Sequence, residues 1–129
     1  MNAKSLERVL HVDDEADIRE VAKLALEAVG GLTVLSCASA DDAVGKAQAF
    51  RPDVILLDVM MPGTDGPATL KVLRGLDGLG DVPAIFMTAK AGADEQAALV
   101  AHGAIGVVAK PFDPMKLADE VRAIVLRVG

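Results

Sequence analysis

The run Val54-Ile55-Leu56-Leu57 is apolar at four consecutive positions and stops at a carboxylate, Asp58. A strand with one wet face alternates apolar and polar residues. Apolar side chains on consecutive positions call instead for a strand covered on both sides, as in the middle of a parallel sheet with helices on each face. Similar short runs recur along the chain. Arg8 to Val12 reads as a first strand, Leu32 to Ser36 as a second, Pro83 to Met87 as a fourth and Gly106 to Ala109 as a fifth. Between them lie stretches with helical periodicity. The first carries Ile18, Val21, Ala22, Ala25 and Val29 on one predicted face and stops at Gly30. The second starts at a Ser39 N-cap and carries Ala43, Val44, Ala47 and Phe50. A turn rich in Pro62, Gly63 and Gly66 precedes a helix through Leu70 and Leu73, and a short helix covers Asp94 to Ala101. A last helix is predicted from an Asp113 N-cap and Pro114 at its first position, with a stripe of Leu117, Val121, Ile124, Val125 and Val128.

Strands alternating with helices predict an α/β fold: a doubly wound, five-stranded parallel sheet with right-handed crossovers and strand order 2-1-3-4-5. The length of 129 residues fits one domain, and 52% apolar residues suffice for a full core. No apolar run reaches the roughly 18–20 residues that cross a bilayer, and Met1 to Ser5 lacks the apolar run of a signal peptide. Cys37, the one cysteine, excludes an internal disulfide. The cytoplasm is the compartment these features suggest. A net charge of −6 without a Lys/Arg cluster argues against a direct hold on nucleic acid.

In such sheets the working site lies at the carboxyl ends of the strands, beside the switch in strand order. Asp13-Asp14, Asp58, Thr88 and Lys110 follow the first, third, fourth and fifth strands. Each has an ordinary structural reading alone: a helix cap or turn, a loop start, a β-branched strand end, a surface charge. Together they form a set suited to phosphate. Three carboxylates in one cleft repel one another and call for a cation. Oxygen ligands without Cys or His suit a hard divalent ion, Mg²⁺ above all where phosphate is handled, and His11 and His102 do not complete a zinc set. An ionised Asp needs no general base to attack phosphorus and yields an aspartyl phosphate. Lys110 would supply a second cation and Thr88 a hydroxyl donor.

These residues resemble the receiver domains of two-component response regulators, over nearly the whole chain from Val9 to about Leu126. The motifs are His11-Val12-Asp13-Asp14-Glu15, Leu56-Leu57-Asp58-Val59-Met60-Met61-Pro62-Gly63-Thr64-Asp65-Gly66, Met87-Thr88-Ala89 and Lys110-Pro111-Phe112. The resemblance implies a flavodoxin-like (βα)5 fold and a signalling module more than a turnover enzyme. It implies that Asp58 accepts a phosphoryl group from a sensor histidine kinase or a histidine phosphotransfer protein. It further implies that Asp14, Asp58 and the backbone carbonyl of Met60 touch Mg²⁺, with Asp13 acting mainly through water. Thr88 and Lys110 would bind phosphoryl oxygens, and a cis Lys110–Pro111 bond is expected to aim the lysine inward. The corresponding organisation is a single receiver domain over 1–129, with a core of about 7–127 and no output domain. Such a chain would act as a stand-alone regulator or relay intermediate through contact with another protein; a piece of a longer regulator would read the same way.

The chain departs from the family at Val107, where relatives usually carry an aromatic switch residue. Ile105 to Ala109 also lacks charge. The expectation is an apolar recognition face there, with Thr88 and the loop around Lys90 doing most of the switching; a plain half-buried strand residue is the competing reading of Val107. Met60 and Lys90, two residues beyond Asp58 and Thr88, sit where side chains influence the phosphoryl lifetime. Two other functions compete. A phosphatase with an aspartyl-phosphate intermediate typically has an acid two residues after its nucleophile, where this chain has Met60. A receiver-like partner-binding module that is not phosphorylated would have no need of the intact acid, Thr and Lys set.

Overall fold

The structure, a computed structural model, describes residues 6–128. Its elements are β1 (Arg8–Val12), α1 (Ala16–Leu24) running into a π-helical segment (Ala25–Val29), β2 (Thr33–Cys37), α2 (Ala40–Phe50), β3 (Val54–Asp58), α3 (Gly66–Arg74), β4 (Ala84–Thr88), α4 (Ala93–Ala101), β5 (Gly106–Ala109) and α5 (Leu117–Val128). The five strands are all parallel, in the order β2-β1-β3-β4-β5, as the alternation predicts. The central strand β3 is buried at every position, so the consecutive apolar run does what its pattern required. The sheet divides the core in two. Val9, Leu56, Ile85, Met87 and Val108 meet Ala22, Leu26, Leu117, Val121 and Ile124 of the first and last helices. Leu10, Ile55, Leu57 and Phe86 meet Ala43, Ala47, Leu70, Leu73 and Leu99 of the other three.

Several predicted boundaries shift. Strands β2 and β4 lie one residue later than predicted, so Cys37 and Thr88 close them. The buried face of α1 is made by Ala22, Ala25 and Leu26, whereas Val21 and Val29 are 41% and 47% exposed. Leu26 lies four residues after Ala22 on the same face, and the wider π turn after Leu24 turns Val29 out of that stripe. Gly30 does stop the helix, but its own φ is −89°. It is glycine because a Cβ there would stand 2.5 Å from that of Ala118. The regular part of α5 starts at Leu117, later than predicted. Asp113 still caps the entry: its Oδ1 accepts from Met115 N–H at 2.9 Å and its carbonyl accepts from Leu117 N–H at 3.0 Å. Pro114 therefore lies in an irregular first turn. The side chain of Val128, and Met1 to Ser5, lie outside the described residues.

Caps elsewhere follow the sequence. Ser39 Oγ accepts from Asp42 N–H, and Asp65 Oδ1 accepts from Ala68 N–H to start α3. Gly66 brings that helix against the end of β3, where a Cβ would stand 2.5 Å from the Asp58 carbonyl oxygen and 2.9 Å from the Val59 Cα. Both neighbours are backbone and cannot step aside. Gly66→Ala is therefore expected to destabilise the domain by about 1–3 kcal/mol in urea unfolding. Gly45, exposed inside α2 with open space around it, gives the opposite sign: Gly45→Ala should stabilise by about 0.5–1 kcal/mol.

Cys37 is wholly buried, and burial pushes its thiol up to about 11, with Asp42 adding to the rise. Only about one thiol in a thousand would be ionised at pH 8. Labelling by a thiol reagent should therefore be very slow in the native protein and follow unfolding across a denaturant series. Rapid stoichiometric labelling without denaturant would contradict this burial.

Candidate functional site

The carboxyl ends of β1, β3, β4 and β5 bring the predicted groups together. Asp58 is the last residue of β3 and only 3% exposed. Asp13 follows β1 and is fully buried, its N–H donating to the Cys37 carbonyl at 3.0 Å. Thr88 closes β4, and Lys110 follows β5, its N–H donating to the Thr88 carbonyl at 2.8 Å. The Lys110–Pro111 peptide bond is cis, as expected from the sequence. Asp14 stands at the exposed rim. Met60 lies in the loop beyond β3 with its side chain 78% exposed.

One oxygen from each of Asp13, Asp14 and Asp58 can be chosen so that all three lie within 4.8 Å of one another. At that spacing each pair of ionised carboxylates repels by about 3 kcal/mol at an effective dielectric of about 20. The chain supplies part of the answer itself. Lys110 Nζ lies 2.9 Å from Asp13 Oδ2 and 2.9 Å from Asp58 Oδ1, with Glu15 Oε1 further off at 4.0 Å. Burial pulls the ammonium toward neutrality, but its bonds to the two carboxylates outweigh this and hold its pKa above the ordinary lysine value. Burial likewise raises Asp58 above the usual carboxylate range, against the lowering contact with Lys110. Three carboxylates and one ammonium leave two negative charges at the pocket. With oxygen donors only, that remainder fits a hard divalent cation, and Asp13, Asp14 and Asp58 are the side chains able to hold one.

The surroundings fix these groups. Asp13 Oδ1 accepts from Glu15 N–H at 2.9 Å, and its carbonyl accepts from Arg19 Nη1 at 2.7 Å. Thr88 Oγ1 accepts from Lys90 N–H at 3.0 Å, which leaves the hydroxyl hydrogen to be donated to an anion. Sequence reasoning assigned no part to Arg19, although its place one turn into α1 puts a long cation within reach of the preceding loop. His11 also went unassigned. It is fully buried beneath Asp13, its Nε2 4.0 Å from Asp13 Oδ2, and burial pushes its pKa down to about 4 despite that carboxylate. A polar residue in an otherwise apolar strand was the available signal. Val107 is half-buried against the α2, α3 and α4 layer.

Comparison with known proteins agrees with this arrangement. The model of the response regulator receiver domain matches residues 9–122. The chain therefore belongs to the response regulator receiver family, the phosphoacceptor modules of two-component signalling. It is 36% identical over 121 residues to the phosphate regulon transcriptional regulatory protein PhoB of Pseudomonas aeruginosa, covering 94% of this chain and 52% of that protein. It is 36% identical over 115 residues to the transcriptional regulatory protein YvrH of Bacillus subtilis, covering 89% of this chain and 47% of that protein. The chain thus spans about half the length of these curated relatives. The chemotaxis protein CheY4 of Vibrio cholerae superposes with a TM-score of 0.84 at 31% identity, over 93% of this chain and 99% of that one. The signal receiver domain of a histidine kinase from Syntrophus aciditrophicus gives 0.77 at 29% identity, over 95% of this chain and 92% of that one. Among the described residues, no helix is long and apolar enough to cross a membrane.

If the acid cluster holds the cation, Mg²⁺ at a hundred times its dissociation constant should raise stability by about 2.7 kcal/mol in thermal unfolding. Asp14→Asn, at the exposed rim, should remove most of that gain while leaving the metal-free protein folded. An undiminished Mg²⁺ response in this variant would move the ion elsewhere.

Proposed function

We propose that the chain is a phosphorylation switch in which Asp58 takes the phosphoryl group from a phosphohistidine on a sensor kinase or histidine phosphotransfer protein. The observation that carries this is the Asp58 carboxylate itself: nearly buried, bonded to Lys110 at 2.9 Å, and clustered with two further acids. An Asp58 oxygen attacks phosphorus in line. A P–O bond forms, the P–N bond breaks, and its electron pair returns to the leaving imidazole. Lys110 favours the ionised, nucleophilic form of Asp58 and then meets the charge on the phosphoryl oxygens. The Thr88 hydroxyl donates to a further oxygen. Asp13, Asp14 and Asp58, with the backbone carbonyl of Met60, are the groups assigned to Mg²⁺. The bound ion supplies charge neutralisation for the transferring group.

The readout follows from the same contacts. Thr88 turning toward the phosphoryl group alters the loop it anchors at Lys90, and with it the uncharged β5 surface that would meet a partner protein. The module assists its own phosphorylation and dephosphorylation without being a turnover enzyme, and it acts in the cytoplasm. PhoB and YvrH are transcriptional regulators by name. A role in transcription would need parts of those proteins beyond the half that this chain matches.

Incubation with acetyl phosphate and Mg²⁺ should add one phosphoryl group to the intact mass, and the group should be lost again over time. Asp58→Asn and chelation should each abolish the addition. Repeated release of phosphate from unrelated phosphoesters would favour a phosphatase instead, and an unmodified wild-type mass would refute the switch.

A further inference from the structure

His11 is hard to account for by packing. It lies on the same sheet face as Val9 and Asp13, fully buried, and neither ring nitrogen has a hydrogen-bond partner. Its register partner on β2 is Ser36, whose Oγ is likewise buried and unbonded. A buried polar group without a partner costs about 1–3 kcal/mol, and an apolar residue would fill a strand interior without that cost. Asp13 Oδ2 lies 4.0 Å from the imidazole Nε2, beyond hydrogen-bond distance.

That oxygen is occupied by Lys110, whose ammonium is shared with Asp58. When Lys110 turns to phosphoryl oxygens, Asp13 Oδ2 gives up its donor while its other oxygen stays with Glu15 N–H. A shift of about 1 Å would bring the imidazole within bonding distance. We infer that His11 is a positioning residue for the phosphoryl site: its Nε2–H takes over Asp13 Oδ2 when Lys110 moves to a phosphoryl group on Asp58, keeping Asp13 aimed at the cation. The step exchanges one hydrogen bond for another and moves no proton between groups. The bare Nδ1 is then an acceptor, with the Ser36 hydroxyl beside it in register. The charged groups felt by the ring are Asp13, Lys110 and Arg19; burial and the two cations keep it neutral, with a single N–H to give. Outer groups that orient metal-binding carboxylates are typically worth about ten- to a hundredfold in affinity.

This inference rests on Lys110 being a phosphoryl ligand, and two readouts separate it from that premise. In the uniformly ¹⁵N-labelled full chain, beryllofluoride with Mg²⁺ serves as the phosphoryl mimic. Amide shifts at residues 58 and 88 report loading. Long-range ¹⁵N–¹H correlations report the His11 ring, and exposed His102 serves as the reference. Loading should move the His11 Nε2–H resonance downfield, leave Nδ1 unprotonated and leave His102 unchanged. His11→Leu should fold at least as stably in urea and yet bind the mimic about tenfold more weakly. His11→Gln, which keeps an N–H donor at similar reach, should recover most of the affinity. If residues 58 and 88 respond while the His11 ring does not, or if His11→Leu binds like the wild type, His11 has no such part. If residues 58 and 88 do not respond either, the phosphoacceptor reading falls and takes this inference with it.

Discussion

The ammonium of Lys110 lies between two carboxylates that arrive from different strands, Asp13 after β1 and Asp58 at the end of β3. Both acids are buried; burial raises the pKa of Asp58, and its bond to Lys110 works against that rise. The pocket thus sets one cation of its own against these acids before any metal or phosphoryl donor arrives. The contact also ties the fifth strand to the first and third across the mouth of the sheet. The arrangement depends on strand order, because only 2-1-3-4-5 puts the ends of β1, β3 and β4 side by side with β5 next in line.

The ordering of elements was legible because its causes are local. An apolar run of four, a helical stripe with a Ser39 or Asp113 cap, and an Asp at a strand end each carry their meaning within a few residues. The convergence of Asp13, Asp14, Asp58, Thr88 and Lys110 was legible for a different reason: parallel strands all point their carboxyl ends one way, so strand-terminal residues must share an edge. What escaped sequence reasoning depends on tertiary packing. The π turn at Ala25–Val29 leaves Val29 half exposed although it lies at the i+7 position from Ala22, and no periodicity count anticipates one extra residue in a turn. Lys110 was expected to bind phosphoryl oxygens, and its pairing with Asp13 and Asp58 was not foreseen. That pairing follows from distances across the sheet, which sequence spacing does not contain.

The missing aromatic at Val107 has a concrete counterpart in the fold. Val107 is half-buried against the α2, α3 and α4 layer and offers no ring to swing between positions. Thr88 is tied to its surroundings through backbone groups: the Lys90 N–H held by its hydroxyl and the Lys110 N–H held by its carbonyl. Such a coupling moves the loops after β4 and β5 together, where a rotating side chain would act on one point of the surface.

The division of the core into two layers has a further consequence for how such a module can diversify. Side chains alternate across a strand, so Asp58 shares the parity of Leu56 and the α1/α5 layer, while Thr88 shares that of Phe86 and the opposite layer. The pocket is thus furnished from both sides of one partition, the Asp58 carboxylate from one layer and the Thr88 hydroxyl from the other. An exchange under α3 is therefore felt at the site as well, since Gly66 stands against the backbone of Asp58 and the ring of Phe86.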